Sequence, residues 1–316
     1  MSLSEIIPIE PDLGNAGVGR IKKTFQTLSP FHPAMGFFIL KTDIQEKEMT
    51  KVTAAEIFKS VEDIRAKSPL IHNITNYVVM NNTANALLAI GASPVMIHAE
   101  EEVEDIAAIA SALVINIGTM SPPWVRGMFK AFAKAVSKGV PVVIDPVGAG
   151  ATPYRTQTIR ELIGAGRPSI IRGNASEIMA LTDDRLTTKG VDSTAASNEA
   201  LQAAQYISEK HQCAVCVSGA VDYIIDGARM LKIANGHPLM TKVTGLGCTA
   251  SALCGAFAAV EKDAAAAAAK AMSVMGIAGE MAASLSAGPG SLQMHFLDIL
   301  YRLNESDIAG RLKLEE

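Results

Sequence analysis

Long apolar runs are missing from this chain. No stretch reaches the roughly 18 apolar residues that a membrane-spanning helix needs, and the alanine-rich EKDAAAAAAKAMSVMGIAGEMAA is broken by charges, so it reads as a helix packed in protein. A surplus of one charge is missing too. Lys and Arg number 28 against 32 Asp and Glu, a formal net charge of −4 with no strong basic patch, which leaves nucleic acid an unexpected partner. Cysteine is scarce: four in 316 residues are too few for a disulfide framework, and reduced thiols in the cytoplasm are the simpler account. Two of the four, Cys213 and Cys216, form a CxxC inside the apolar run CAVCVSG. Residues three apart on a strand point to opposite faces, while a redox pair wants a helix N-terminus and a zinc site a second pair. Both are therefore read as core. What is present, 49 % hydrophobic and 19 % charged residues without a polar low-complexity tract, is the composition of a folded globular protein.

Residues 1–48 differ from the rest. They hold scattered Pro and Gly, the short apolar patch PAMGFFIL and no sustained periodicity. The patch is short and the start acidic for a signal peptide, so the segment is read as a loosely organised N-terminal extension, with the folded domain at 49–316.

From about Thr53 the pattern is regular. AAEIFKSVEDIRAK has helical spacing, and NNTANALLAIGA makes a second helix after the turn HNITN. Strands and helices then alternate: SPVMI, EEVEDIAAIAS, ALVINIG, WVRGMFKAFAKAV, PVVIDPVGAG, SIIRGNASEIMAL, ASNEALQAAQYISEK and AVCVSG. Nothing is assigned between PVVIDPVGAG and SIIRGNASEIMAL. The strands are short, apolar and β-branched, as in a parallel sheet covered by helices on both faces. VSGAVDYIIDGARMLKIANG, with its DG and NG turns, predicts antiparallel hairpins on the sheet edge. The remainder reads as almost all helix. The fold class is α/β, mainly parallel, with a small antiparallel edge.

Ligands of open α/β sheets bind beyond the carboxyl ends of the strands. The polar residues found there are Asn116, Gly118 and Thr119 after ALVI, Asp145 after PVVI, Arg172 and Asn174 after SII, and Ser218 after AVCV. Each alone is ordinary strand-end chemistry, since turns use Gly, Asn, Asp and Ser. Together they line up a carboxylate, a guanidinium and hydroxyls, a set that suits a phosphate and its magnesium. In NASE, Asn174 and Glu177 have the spacing of a capping box. Glu177 would also face the anion edge, where with Asp145 it implies Mg²⁺ held largely through water.

TKVTGLGCTASAL, residues 241–253, formally matches a dinucleotide fingerprint. Its context does not, because the turn lies late in the chain and is followed by helix after helix. What remains is a glycine-lined helix N-terminus, an anion hole, with Lys242, Thr241 and Thr244 just before it and Cys248 at its mouth. An anion hole near a pair of magnesium carboxylates points to phosphoryl transfer.

SPLIHNITN, GASPVM, INIGT, VIDPVGAGAT, IRGNASEIMAL, VSGAVDYIIDG and HPLMTKVTGLGCTASAL together resemble the hydroxyethylthiazole kinase family, of the ribokinase-like superfamily, over about 53–316. The resemblance implies ATP- and Mg²⁺-dependent phosphorylation of the hydroxyl of 4-methyl-5-(2-hydroxyethyl)thiazole in thiamine salvage. It also implies a homotrimer whose thiazole pocket is completed by a neighbouring subunit. By the same resemblance Met96 contacts the thiazole, with Asn76 near that pocket and Gly245 on the substrate side of the turn. Arg172 is an ATP phosphate ligand, and Ser218 stands where the family often has threonine. Asp145 and Glu177 are the magnesium carboxylates, and Cys248 takes the place of the aspartate base of many ribokinase relatives. The helix dipole and neighbouring cations are expected to lower the thiol's pKa from about 8.5.

Other readings stay open at this point. A sister kinase for a pyrimidine or pyridoxal-type alcohol is argued against by the cysteine-bearing turn, and an ATP-dependent nicotinamide-hydrate dehydratase should carry an aspartate there. A non-catalytic metabolite-binding protein would form no product. A cysteine hydrolase lacks a motif pairing His72, His98 or His237 with Cys248.

Overall fold

The computed structural model describes residues 51–182 and 193–316; the extension expected at 1–48 lies outside the described residues. The chain runs α1 (Ala54–Lys67), β1 (Leu70–Ile74), α2 (Met80–Ile90), β2 (Ser93–Val95), α3 (Val103–Ile109) and β3 (Ala112–Asn116). It continues with α4 (Pro122–Lys138), β4 (Val142–Asp145), α5 (Pro153–Gly164), β5 (Ile170–Asn174), α6 (Ala175–Ala180), α7 (Ser193–His211) and β6 (Ala214–Ser218). The hairpin β7 (Asp222–Asp226) and β8 (Arg229–Ile233) precedes a 3₁₀ turn at Pro238–Lys242. Then come α8 (Leu246–Ala258), α9 (Ala264–Leu285), α10 (Pro289–Arg302), α11 (Glu305–Ala309) and β9 (Leu314–Glu315).

The strands form one sheet in the order β2-β1-β3-β4-β5-β6-β7-β8-β9. β2 to β6 are parallel, and the β7, β8 and β9 edge is antiparallel. The α/β reading with a small antiparallel edge is the observed architecture. The chain passes from β1 outward to β2 and then back across β1 to β3, so the strand order reverses at β1. Such a switch point opens a crevice at the carboxyl ends of the flanking strands.

Side-chain alternation splits the core in two. Ala112 and Val114 of β3, Val143 of β4, Ile170 of β5 and Cys216 of β6 pack with α1, α2 and α8 to α10. Leu113, Ile115, Ile144, Ile171 and Val215 pack on the other face with α3, α4, α5 and α7. Because the period is two, Asn116, Asp145, Arg172 and Ser218 all fall on the face that α8 and α9 cover. Helix α8 comes close because Gly255 has no side chain: a Cβ there would lie 2.6 Å from Val114 Cγ2. Helix α9 is buried over nearly its whole length, as the alanine run predicts. Its one lysine, Lys270, reaches Glu261 at 2.8 Å and Ser60 at 3.1 Å, the pairing that a buried charge requires. Among the described residues no helix is long and apolar enough to cross a membrane.

The structure corrects three readings. HNITN is not merely a turn: Leu-Ile-His-Asn-Ile is β1. Its polar pair is only partly met: His72 shares a hydrogen bond with the Ile97 carbonyl at 2.8 Å and Asn73 Nδ2 donates to the Ile71 carbonyl at 2.9 Å, while His72 Nδ1 and Asn73 Oδ1 have no partner among the described residues. Helix α5 fills the segment left unassigned, opened by Thr152, whose hydroxyl accepts from Arg155 N, and by Pro153. Finally the chain ends in β9, which pairs with β8. The CxxC is core as read: Cys213 and Cys216 are buried, in opposite halves.

Candidate active site

Helix α8 begins at Gly245, whose φ of 81° lies in the left-handed region. An added Cβ would also sit 2.4 Å from Val79 Cγ1, so a side chain is excluded twice over. No side chain caps the helix, and its first N–H groups have no intrahelical partner. The glycine-lined helix N-terminus read from the sequence is thus the uncapped start of a 13-residue helix, the kind of end whose N–H groups can meet an anion.

Cys248, in the first turn of that helix, faces the switch point between β1 and β3. Asn76, just past β1, donates from Nδ2 to Cys248 Sγ at 3.4 Å and to Asn116 Oδ1 at 2.9 Å. Asn116, the last residue of β3, donates from Nδ2 to Asp145 Oδ2 at 2.8 Å. Ser251 of α8 donates to the same carboxylate oxygen at 2.8 Å. Asn116 and Asp145 are register partners at the ends of adjacent parallel strands, which puts their side chains side by side on one face. The structure thus joins three residues expected at the site, Asn76, Asp145 and Cys248, through Asn116, and adds Ser251 on Asp145; neither of these two was assigned a role. Asn116 was visible as a strand-end polar residue. Ser251 carried no signal, because its bond depends on how close α8 lies to the sheet.

Burial shapes the electrostatics. Burial first, then the charge of Asp145, pushes the Cys248 thiol up to about 11, while the Asn116 and Asn76 amides and Arg172 pull the other way. This reverses the expectation of a lowered pKa: desolvation of the thiolate outweighs the helix dipole and the one nearby cation. Asp145 is raised to about 6, chiefly by burial, with Arg172 opposing and Glu177 adding to the shift.

The other side of the helix start is open. Arg172 of β5 lies against Gly247, where a Cβ would be 3.1 Å from its Nη1. Its Nε is buried with no hydrogen-bond partner among the described residues. Burial lowers the guanidinium's pKa and the carboxylate of Asp145, with smaller contributions, more than offsets it, so the net shift is upward. Arg172 and Ser218 line a cleft of about 710 Å³ together with Asp222, Pro238, Leu246 and Met272. Ser218 Oγ donates to the Gly173 carbonyl at 3.3 Å.

Glu177 closes the capping box of α6. Its Oε2 accepts from Asn174 N at 2.9 Å while Asn174 Oδ1 accepts from Glu177 N at 2.9 Å. Its Oε1 accepts from Gly148 N at 2.9 Å, tying the loop after β4 to α6. Met96 stands apart, half-buried just beyond β2, an edge strand; the preceding residue, Val95, pairs in register with His72 of β1. Among the described residues no group of three or more His, Cys, Asp or Glu side chains gathers to hold a metal by itself.

Residues 61–306 match the model of the hydroxyethylthiazole kinase family. The chain is 60 % identical over 265 residues to a hydroxyethylthiazole kinase of Syntrophus aciditrophicus strain SB, covering 84 % of this chain and 98 % of the relative. A solved structure of a hydroxyethylthiazole kinase protein from Pyrococcus horikoshii OT3 superposes with a TM-score of 0.75 at 44 % identity, over 83 % of this chain and 98 % of the other. A ribokinase-like superfamily protein from Enterococcus faecalis V583, TM-score 0.55 at 12 % identity over 76 % and 89 % of the two chains, shares the fold. The chain belongs to the hydroxyethylthiazole kinase family: it is a phosphotransferase of ribokinase-like fold.

Proposed function

We propose that the chain moves the γ-phosphoryl group of ATP to the hydroxyl of 4-methyl-5-(2-hydroxyethyl)thiazole, a thiamine-salvage step in the cytoplasm. The observation that carries this reading is the helix start with two unlike sides. Gly247 faces a guanidinium whose buried Nε has no hydrogen-bond partner among the described residues, in a cleft large enough for a nucleotide. The next residue, Cys248, faces Asn76 at the switch point. Successive helical residues are turned by about 100°, so the free N–H groups lie between a donor side and an acceptor side. A phosphoryl group crossing from one to the other would pass over them.

Arg172 would take the phosphates, and Ser218 would lie beside the nucleotide. Asn76, Met96 and Gly245 would shape the thiazole side. Cys248 would receive the proton of the attacking alcohol late, when a loose transition state finally releases it. Asp145 and Glu177 would hold Mg²⁺: hard carboxylate oxygens suit it, and an ion that keeps several waters needs only one or two protein ligands. Bound there, it would neutralise phosphate charge. The exposed Tyr77 (65 %) and Val78 (61 %), which follow Asn76 directly, support a homotrimer in which a neighbouring subunit covers that side. The kinase domain would span 49–316, and 1–48 would be dispensable for turnover.

A coupled assay with ATP and the thiazole alcohol, with and without magnesium, tests the reading. Magnesium-dependent turnover is expected. A preference for a pyrimidine or pyridoxal-type alcohol in a substrate panel would replace the thiazole assignment and leave the phosphotransferase chemistry in place.

A further inference from the structure

Resting on the reading of Cys248 as proton acceptor, we propose that Asn116 is a positioning residue. It fixes the direction of the Asn76 amide and thereby makes the Cys248 sulfur a hydrogen-bond acceptor.

An asparagine amide has two faces, and each could in principle be turned either way. At Asn116 both neighbours forbid the alternative. The backbone N–H of Gly118 donates to Oδ1 at 2.9 Å, and an NH₂ group turned toward it would leave that N–H without an acceptor. On the other side Asp145 Oδ2 accepts from Nδ2 at 2.8 Å and from Ser251 Oγ at 2.8 Å, and a carbonyl oxygen there would face a carboxylate. Asn116 therefore has one orientation. Its Oδ1 then demands a donor from Asn76, which answers with Nδ2 at 2.9 Å. The same Nδ2 has a second hydrogen, and it points at Sγ, 3.4 Å away. A carboxylate at the end of β4 thus dictates, through two amides, that the sulfur receives a hydrogen bond. A donor of this kind favours the thiolate over the thiol.

The chain of amides is also clamped from outside. A Cβ on Gly118 would lie 2.7 Å from Asn76 Nδ2 and 2.8 Å from its Cβ, so glycine is what lets Asn76 occupy its place. Arg155 donates to the carbonyls of Ile117 at 2.8 Å, Gly118 at 2.7 Å and Val147 at 2.9 Å. It binds the loop after β3 to the loop after β4. Asn76, Asn116 and Ser251 are buried to 4 %, 1 % and 0 % exposure, so water does not compete for these bonds. The Asn116 amide also favours the thiolate directly, alongside Asn76, and the charged groups acting on the sulfur are Asp145 of β4 and Arg172 of β5; Gly118→Ala is therefore the variant that isolates the Asn76 amide.

The test has two readouts. In metal-free, nucleotide-free protein, the alkylation of Cys248 by iodoacetamide is followed by mass spectrometry from pH 7 to 11; the other three cysteines are buried. Asn116→Ala is expected to slow alkylation about tenfold across that range, which lies on the thiol side of a midpoint near 11, because it removes both the oriented Asn76 N–H and the Asn116 amide that favour the thiolate. Gly118→Ala pushes Asn76 away without touching Asp145, and it is expected to slow alkylation in the same way, so the test survives if Asn116→Ala fails to fold. The second readout is a double-mutant cycle on turnover. Asn116→Ala should lower kcat about tenfold or more with the KM for ATP within about twofold, and should add little in a Cys248→Ala background. Unchanged alkylation profiles, or equal losses in both backgrounds, would overturn the positioning role. Wild-type turnover in Cys248→Ala would instead sink the proton-acceptor reading, while the alkylation profile would still decide whether Asn116 orients the amide.

Discussion

The two sides of the α8 N-terminus are built on opposite principles. On the acceptor side every amide and carboxylate from Asn76 through Asn116 to Asp145 and Ser251 is already hydrogen-bonded within the chain. On the donor side Arg172 keeps a buried Nε that has no partner among the described residues, beside an open cleft. A satisfied network holds one geometry before any ligand arrives, which is what placing a proton acceptor requires. An unpaired Nε stores binding capacity instead, because a buried donor left unpaired is costly until an anion meets it. Catalytic position and ligand affinity are thus separated across one turn of helix.

The sharpest way to break this division is Cys248→Ala. General-base assistance contributes about 10²–10⁴-fold, and less when proton transfer is late. A clear but incomplete loss of kcat is expected with the KM for ATP little changed. Since burial and Asp145 push the thiol up to about 11, wild-type kcat should climb steadily on the alkaline side of neutrality, and that limb should vanish in the variant. Cys248→Asp should retain activity, because a carboxylate at a helix N-terminus is ionised at neutral pH. Steady-state kinetics across pH would check all three. If Cys248→Ala matched wild type at every pH, the sulfur would be filling space.

The donor side offers a pH test of its own. Asp222, in the cleft wall, is raised to about 6 by burial, against the Gly219 N–H and Arg172. A carboxyl whose folded pKa exceeds its unfolded value contributes stability below the unfolded pKa, near 4, and loses it as pH rises through about 6. The shift of about two units corresponds to something on the order of 3 kcal/mol. Ligand-free wild type should therefore gain thermal stability relative to Asp222→Asn on going from pH 7.5 to 4.5. Asn can still accept from Gly219 N, so the variant isolates the charge. Parallel melting curves at the two pH values would contradict the buried carboxylate.

Much of this site could be read from spacing alone. Asn116, Asp145, Arg172 and Ser218 follow apolar runs and sit on the parity of Val114, Val143, Ile170 and Cys216. Alternation therefore delivers them to one face whatever the details of packing. The Asn174–Glu177 capping box was likewise legible, since both halves lie within four residues. What could not be read depends on distant partners. In the polar strand β1 the Ile97 carbonyl meets His72, and Ser251 reaches Asp145 only because Gly255 lets α8 settle on the sheet. The sign of the Cys248 shift was misread for the same reason. The helix dipole is visible in the sequence, but the depth of burial that outweighs it is a property of the packed molecule.

Arg172→Ala tests the donor side directly. A hydrogen bond to a charged group contributes about 1.5–3 kcal/mol, so ATP should bind about 10- to 150-fold more weakly, with kcat at saturation less affected. Calorimetric titration of ATP would measure it, and unchanged affinity would leave the guanidinium without a ligand. Glu177→Gln probes the link between the two loops. Its two oxygens accept from Gly148 N and Asn174 N, while glutamine has one acceptor oxygen, so one N–H loses its partner at a cost of about 1–3 kcal/mol. A lower melting temperature together with a weakened response to magnesium is expected. A wild-type magnesium response would reduce Glu177 to a clamp.

The smallest effect is expected at Ser218, although it lines the same cleft as Arg172. Its hydroxyl proton is already committed to the Gly173 carbonyl at 3.3 Å. A hydroxyl has one proton to give, so the face it turns toward the cleft carries only lone pairs, which a phosphate oxygen does not seek. Ser218→Ala should then forfeit no more than an ordinary neutral hydrogen bond, about 0.5–1.5 kcal/mol, and weaken ATP binding by roughly tenfold at most. Titration of ATP against both variants would rank them. Were Ser218→Ala to lose as much affinity as Arg172→Ala, the hydroxyl would have to leave Gly173 and turn its proton to the nucleotide. The donor side would then rearrange on binding, in contrast to an acceptor side that holds its geometry beforehand.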